Sequence, residues 1–178
     1  AQTNVTRTGY NEDQLVDYNT LNVKMNAGLY YKINDRIEAS VNSYFGTGTT
    51  VYTGANRYSL RGFKMAQHKF EIKAKNWMYR AYTIQENAGD SYIGDALGSF
   101  INEAWKPSVN TANLPGSWFP QYLITFSEGR RTSNGSLSDA QLHLAGRNTA
   151  EVGRFQPGTQ QFNDAARIIK TTAVNKPG

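Results

Sequence analysis

The chain has 178 residues, a formal net charge of +5, 39% hydrophobic residues and no cysteine. No apolar run approaches the ~18 residues that a membrane-spanning helix needs, and the lack of cysteine excludes a disulfide scaffold and a thiolate zinc site. Aromatics at 12% are too many for a disordered chain.

The first twenty residues read as the end of a strand followed by a loop. The start at Ala1, without Met and without the apolar core of a signal peptide, suggests an excerpt of a longer protein. So does the end on Lys176-Pro177-Gly178, which reads as a turn.

From Leu21 the chain alternates. Leu21, Val23, Met25, Ala27, Leu29, Tyr31 and Ile33 take the odd positions, and Asn22, Lys24, Asn26, Gly28, Tyr30 and Lys32 the even ones. Period two with one apolar side is a strand with two unlike faces. Asn34-Asp35-Arg36 reads as a three-residue loop that sets Ile33 opposite Ile37. The next strand carries Ile37, Ala39, Val41 and Phe45 on its apolar face. Gly46 to Phe63, rich in Gly and Thr, reads as a longer connection. The alternation then returns with parity switched: His68, Phe70, Ile72 and Ala74 on one face, Lys69, Glu71, Lys73 and Lys75 on the other. A tight turn at Lys75-Asn76 pairs Ala74 with Trp77. The fourth strand, to about residue 86, puts Trp77, Tyr79 and Ala81 on the apolar face and Arg80 on the polar one.

Residues 87–178 change character. Helical spacing runs over 91–105 through Ile93, Leu97, Phe100, Ile101 and Ala104. Trp118 to Phe126 fits strand or helix, with helix preferred. Ser138-Asp139-Ala140-Gln141 is a capping box opening a helix over 139–147. Thr159 caps another over 160–171, with Phe162, Ala165, Ala166 and Ile169 on one face. Ninety residues of this kind between strands far exceed an ordinary loop.

The fold class read from these elements is all-β with a helical loop insertion, a segment of a transmembrane antiparallel β-barrel. Eleven strand residues span ~37 Å, or ~26 Å when tilted 45°, close to the ~25 Å apolar band of an outer-membrane barrel. Short turns alternate with long connections, and Tyr31, Phe45, Trp77 and Tyr79 suit interfacial aromatic girdles. Four strands cannot close a barrel, so the remaining strands would lie outside this chain. Alternation by itself also fits a soluble β-sandwich, hence a soluble β-rich module binding glycan or protein. A passive porin would share the strands as well.

At this point several segments resemble the barrel of large TonB-dependent outer-membrane receptors. They are Arg7-Thr8-Gly9-Tyr10, Leu15-Val16-Asp17 and the hairpin around Asn34. The most specific stretch is Tyr58-Ser59-Leu60-Arg61-Gly62-Phe63 with Gln67 to Trp77, continuing through Arg80-Ala81-Tyr82-Thr83 and Gln85-Glu86-Asn87. Gly153-Arg154-Phe155-Gln156-Pro157-Gly158-Thr159, with Phe162, resembles an extracellular loop of these receptors. The resemblance covers most of the chain. It is nearest to the branch with a carboxypeptidase-like N-terminal extension and is similar to the starch-utilisation-type transporters. It implies a barrel of roughly 22 strands closed by a plug domain, energised through TonB. It also implies import of an oligosaccharide, peptide, iron chelate or cobalamin, outer-membrane lipid around the strands, and room for a surface lipoprotein lid. It transfers no ligand-binding residue.

The residues themselves suggest two candidate sets. Lys24, Lys32, Arg61, Lys69, Glu71, Lys73 and Arg80 would line a polar lumen. That wall would meet anionic substrate or plug, or simply pair with neighbouring carboxylates. Nucleic acid is disfavoured, because Phe70 and Trp77 point away from the basic face and stacking needs them on it. Trp105, Trp118, Phe119, Tyr122 and Phe155 are candidate ligand or partner anchors in the external loop. The competing reading makes them the small core that lets the helices bury their apolar faces. His68 and His143 lack a second ligand at metal spacing. Gly46-Thr47-Gly48 opens no helix, and Glu12-Asp13 reads as a solvated pair. No catalytic set, metal site or cofactor site is predicted.

Overall fold

The computed structural model describes residues 4–172, so the Lys176-Pro177-Gly178 terminus lies outside the described residues. The chain divides into two units. Leu15–Asp95 form a sheet unit, and the segments up to Gln14 and from Ala96 onward form a helical unit.

The sheet unit is an open antiparallel sheet in the order β1-β2-β3-β4, made of Leu21–Asn34, Ile37–Thr53, Arg57–Ala74 and Met78–Asn87. A short β5, Tyr92–Ile93, pairs with the start of β3. The registers set Tyr31 beside Ala39, Ile72 and Tyr79, and Leu29 beside Val41, Phe70 and Ala81. Paired residues share a face, so the odd positions of β1 and β2 join the even positions of β3 and the odd ones of β4. This is the partition that the alternation predicts.

The turns differ in detail. Asn34 pairs with Ile37 rather than Ile33 doing so, which leaves a two-residue turn at Asp35-Arg36. An irregularity between Lys32 and Asn34 takes up the extra residue, so the faces beyond it are preserved. Asn34 Oδ1 accepts the Arg36 N–H at 2.9 Å, the usual way an Asn side chain closes a turn.

The expected connection from Gly46 to Phe63 is not a loop. β2 and β3 stay paired out to Thr53 and Arg57, and Tyr52 stacks on Tyr58 at 5.0 Å near the tip. The run Thr49-Thr50-Val51-Tyr52-Thr53 is β-prone by composition despite the glycines before it. Thr49 stands opposite both Arg61 and Gly62 in a bulge, and Gly62 has φ 62°, a conformation glycine adopts at little cost. Because β2 runs on to Thr53, Phe45 sits mid-strand and not at a strand end. The strand expected within the first twenty residues is also absent among the described residues. A single helical turn, α1 (Glu12–Leu15), stands there instead.

The helical unit carries α2 (Gly94–Trp105, begun in the sheet unit), α3 (Trp118–Thr132), α4 (Asp139–Ala150) and α5 (Gln160–Thr171). Ser138 caps α4 in a complete capping box with Gln141, and Thr159 Oγ1 accepts the Phe162 N–H to cap α5. α3 and α4 pack closely because α4 has a glycine at the contact. A Cβ on Gly146 would lie 3.0 Å from both the ring and the carbonyl oxygen of Tyr122. The core here is Trp118, Tyr122 and Ala150, with Val5, Trp105 and Phe119 against it. Among the described residues no helix is long and apolar enough to cross a membrane, which bears on helices and not on strands.

Candidate functional site: the charged face of the sheet

Register decides which side chains meet. On the polar face Lys32, Glu38, Lys73 and Met78 form one cross-strand row. Tyr30, Ser40, Glu71 and Arg80 form the next, then Gly28, Asn42, Lys69 and Tyr82. Further on, Lys24 lies in a row with Gly46, Met65 and Glu86. Six of the seven proposed wall residues thus share a face: Lys24, Lys32, Lys69, Glu71, Lys73 and Arg80. Glu38 and Glu86 belong with them. The alternation already carried that signal, but only the pairing shows which cation each carboxylate faces.

The centre of this face is an ion network. Arg80 Nε donates to Glu71 Oε2 at 2.6 Å, and Lys69 Nζ lies 3.9 Å from the same oxygen. A cross-strand pair such as Arg80–Glu71 contributes a few tenths of a kcal/mol up to ~1 kcal/mol, and Lys69, two positions from Glu71 on the same strand, adds a weaker attraction. Beneath the long side chains Ser40 and Asn42 are buried. Tyr30 donates its hydroxyl proton to Asn42 Oδ1 at 2.8 Å. Its ring lies over Gly28, where a Cβ would come 3.1 Å from it.

Arg61 does not join this face. It sits in the β3 bulge, and its Nη1 donates to Asp17 Oδ2 at 2.8 Å. That bond holds the Asp17 carboxyl below its ordinary pKa. The Arg61 carbonyl accepts the Asp90 N–H at 2.9 Å, and Gly89 approaches so closely that a Cβ there would lie 2.2 Å from the same oxygen. Arg61 therefore ties three segments of the sheet unit together. The bulge diverts it, and no alternation pattern announces a bulge.

The opposite face is apolar towards the turns at 35–36 and 75–77. Leu29 is 78% exposed, Tyr31 70% and Trp77 54%. A polar row crosses this face further along, where Ser43 Oγ and His68 Nδ1 hydrogen-bond at 2.9 Å.

The five aromatic candidates of the helical unit separate. Trp118 and Tyr122 are 0% and 2% exposed, so they are core residues and unavailable as surface anchors. They stack at 5.4 Å. Phe119 and Trp105 pack against that core half-buried, and Phe155 is half-buried in the loop after α4.

What the alternation left unread is a strap formed by residues 5–10. Arg7 donates to Glu103 Oε1 at 2.9 Å, Ser108 Oγ at 3.1 Å and the Asn102 carbonyl at 2.9 Å. Its guanidinium lies 5.4 Å from the Trp105 ring centre and 5.8 Å from that of Trp118. Arg147 donates to the Thr6 carbonyl, Asn102 to that of Thr8, and Arg154 to that of Gly9. Tyr10 donates its hydroxyl proton to the Phe155 carbonyl at 2.9 Å.

Electrostatics follow burial here. Burial works to raise the Glu103 pKa, but hydrogen bonds from Ser108 and the Arg7 guanidinium outweigh it and hold the carboxyl below its ordinary value. Burial, aided by the like charge of Arg7, pushes the Lys106 ammonium down. Lys106 Nζ donates to Gln121 Oε1 and to the Ala150 carbonyl. No group of three or more His, Asp or Glu placed to hold a metal ion occurs among the described residues.

The fold and this face define a class: an open, charge-lined antiparallel sheet with a strapped helical unit. Compared with known proteins, the chain matches no family model, and no curated protein or solved structure is significantly similar to it.

Proposed function

We propose that this chain is an interior segment of a TonB-dependent outer-membrane receptor, an active importer and not an enzyme. In this reading the sheet is part of the barrel wall, its charged face turned to the lumen and its apolar face to lipid. The helical unit belongs to the extracellular excursion between strands. Wall and lid residues would guide a nutrient, while energy arrives through TonB acting on a plug domain.

The observation that carries this reading is the sheet itself. Four adjacent antiparallel strands of 14, 17, 18 and 10 residues expose apolar side chains on one face. Mean strands are about 5–6 residues. Eighteen residues span ~60 Å, or ~42 Å at a 45° tilt, which exceeds the ~25 Å apolar band. β2 and β3 would therefore project beyond the lipid. The turns at 35–36 and 75–77 lie at one end of the sheet. At the other end lie the equally short turn at 54–56 and the points where the chain enters β1 and leaves β4.

The polar row of Ser43 and His68 favours the second reading, a soluble β-rich binding module, because lipid gives such a pair no water. One experiment separates the two. The chain is expressed without detergent and, in parallel, into detergent micelles. Aggregation in the first and a folded β-rich species in the second support the barrel segment. A monomeric, cooperatively melting product without detergent overturns it. The flanking reading frame gives an independent check: no upstream plug domain, or no further alternating strands downstream, also overturns it.

A further inference from the structure

The turns at 35–36 and 75–77 lie side by side at one end of the sheet, because Ile37 pairs with Ala74. Arg36 precedes the first of these residues and Lys75 follows the second, so both cations sit at the same edge. One row inward, Lys32 and Lys73 flank Glu38 on adjacent strands. These residues, with Asn34 and Asp35, line an open hollow of about 390 Å³ between the turns. Four cations face two carboxylates, and all four cations are exposed. Among the described residues none of the four makes an ion pair. On the apolar face next to this edge stand Trp77 and, one row on, Tyr31 and Tyr79, each more than half exposed.

An uncompensated basic rim directly beyond a row of exposed aromatic rings has a specific chemistry. Tyr and Trp settle at the level of lipid headgroups, and basic residues beside them attract anionic headgroups by about a fivefold affinity gain per cation. The geometry points to a headgroup site for an anionic phospholipid at this end of the sheet. The phosphate seats between Arg36 and Lys75, and the acyl chains lie along Trp77, Tyr79 and Tyr31. Lys32 and Lys73, one row inward on the opposite face, add longer-range attraction to a headgroup held at the edge, and Asp35 and Glu38 oppose it. This inference rests on the membrane reading proposed above.

The test uses the whole chain, transferred from detergent to vesicles and read by flotation. One set of vesicles is phosphatidylcholine alone, the other phosphatidylcholine mixed with phosphatidylglycerol. The expected result is stronger partition into the phosphatidylglycerol vesicles. Arg36→Gln with Lys75→Gln weakens that partition by about thirtyfold or more and leaves partition into phosphatidylcholine unchanged. The charge-conserving pair Arg36→Lys with Lys75→Arg restores it. Inorganic phosphate at matched ionic strength leaves the preference in place; loss of the preference in phosphate assigns the hollow to the free anion and overturns the lipid site. Equal flotation with both vesicles overturns this inference alone. Flotation with neither overturns it together with the membrane reading.

Discussion

Arg7 and Glu103 lie 96 positions apart in the chain and 2.9 Å apart in the fold. The Arg7 side chain is only 10% exposed, whereas Glu103 is 46% exposed. The pair is therefore one-sided: the cation is buried and the carboxylate reaches in from the surface. What holds Arg7 is the set of oxygens around it, together with two indole faces, and Glu103 is one part of that set.

Replacing Arg7 by Met keeps the apolar stem and removes every donor. Hydrogen bonds to a charged group contribute about 1.5–3 kcal/mol each and are not additive, so Arg7→Met should cost the helical unit about 3 kcal/mol. Arg7→Lys should recover only part of this, since an ammonium cannot reproduce the planar fork. Hydrogen exchange should quicken in α2 and leave the sheet amides near their original rates. Loss confined to the sheet would refute the strap.

Acid should loosen the same region. The Glu103 carboxyl has a folded pKa below its unfolded one, so its contribution is complete above the unfolded value of ~4.3. That contribution is lost as pH falls through the lowered folded value. A series of melts from about pH 6 to about pH 3 should show a fall in stability towards the acid end. Glu103→Gln should flatten that part of the profile, and an unchanged profile would refute the assignment.

Tyr122 and Gly146 should prove coupled. Tyr122→Ala opens a cavity in the core and should cost about 3–5 kcal/mol. Gly146→Ala drives a Cβ against the Tyr122 ring and backbone and should cost about 1–3 kcal/mol. The ring contact vanishes in the double variant, so the second cost should shrink when both are made. Simple additivity in the double-mutant cycle would show that the ring does not set the helix spacing.

Two glycines of left-handed backbone should respond differently. Gly62→Ala meets open space at φ 62° and should cost about 1–2 kcal/mol from backbone strain alone. Gly89→Ala has similar strain at φ 60°, and its Cβ would collide with the Arg61 carbonyl. It should cost clearly more and release the Asp90 N–H that this carbonyl accepts. Hydrogen exchange at Asp90 measures the difference directly.

The N-terminus of α4 offers a local check. Ser138→Ala removes the acceptor for the Gln141 N–H and should cost about 1 kcal/mol. Faster exchange should be confined to the first turn of α4. An effect spreading over the whole helical unit would mean that Ser138 does more than cap.

What the sequence determined by itself was local. Alternation at period two sorted Leu29, Val41 and Phe70 from Lys32, Lys69 and Arg80, because neighbouring strand residues must face opposite ways. The Lys75-Asn76 turn and the Ser138 capping box were legible for the same reason, since each is settled by a few adjacent residues. What only the tertiary structure decided depends on distant partners. The bulge that sends Arg61 to Asp17 is visible only when β2 is laid against β3. The continuation of both strands past Gly46 required the pairing of Thr53 with Arg57 to be weighed against a glycine-rich composition. The strap of residues 5–10 joins side chains about a hundred positions away, and the burial of Trp118 and Tyr122 follows from α4 closing over α3. No periodicity records such contacts, because the free energy that selects them is gained only once the chain has folded back upon itself.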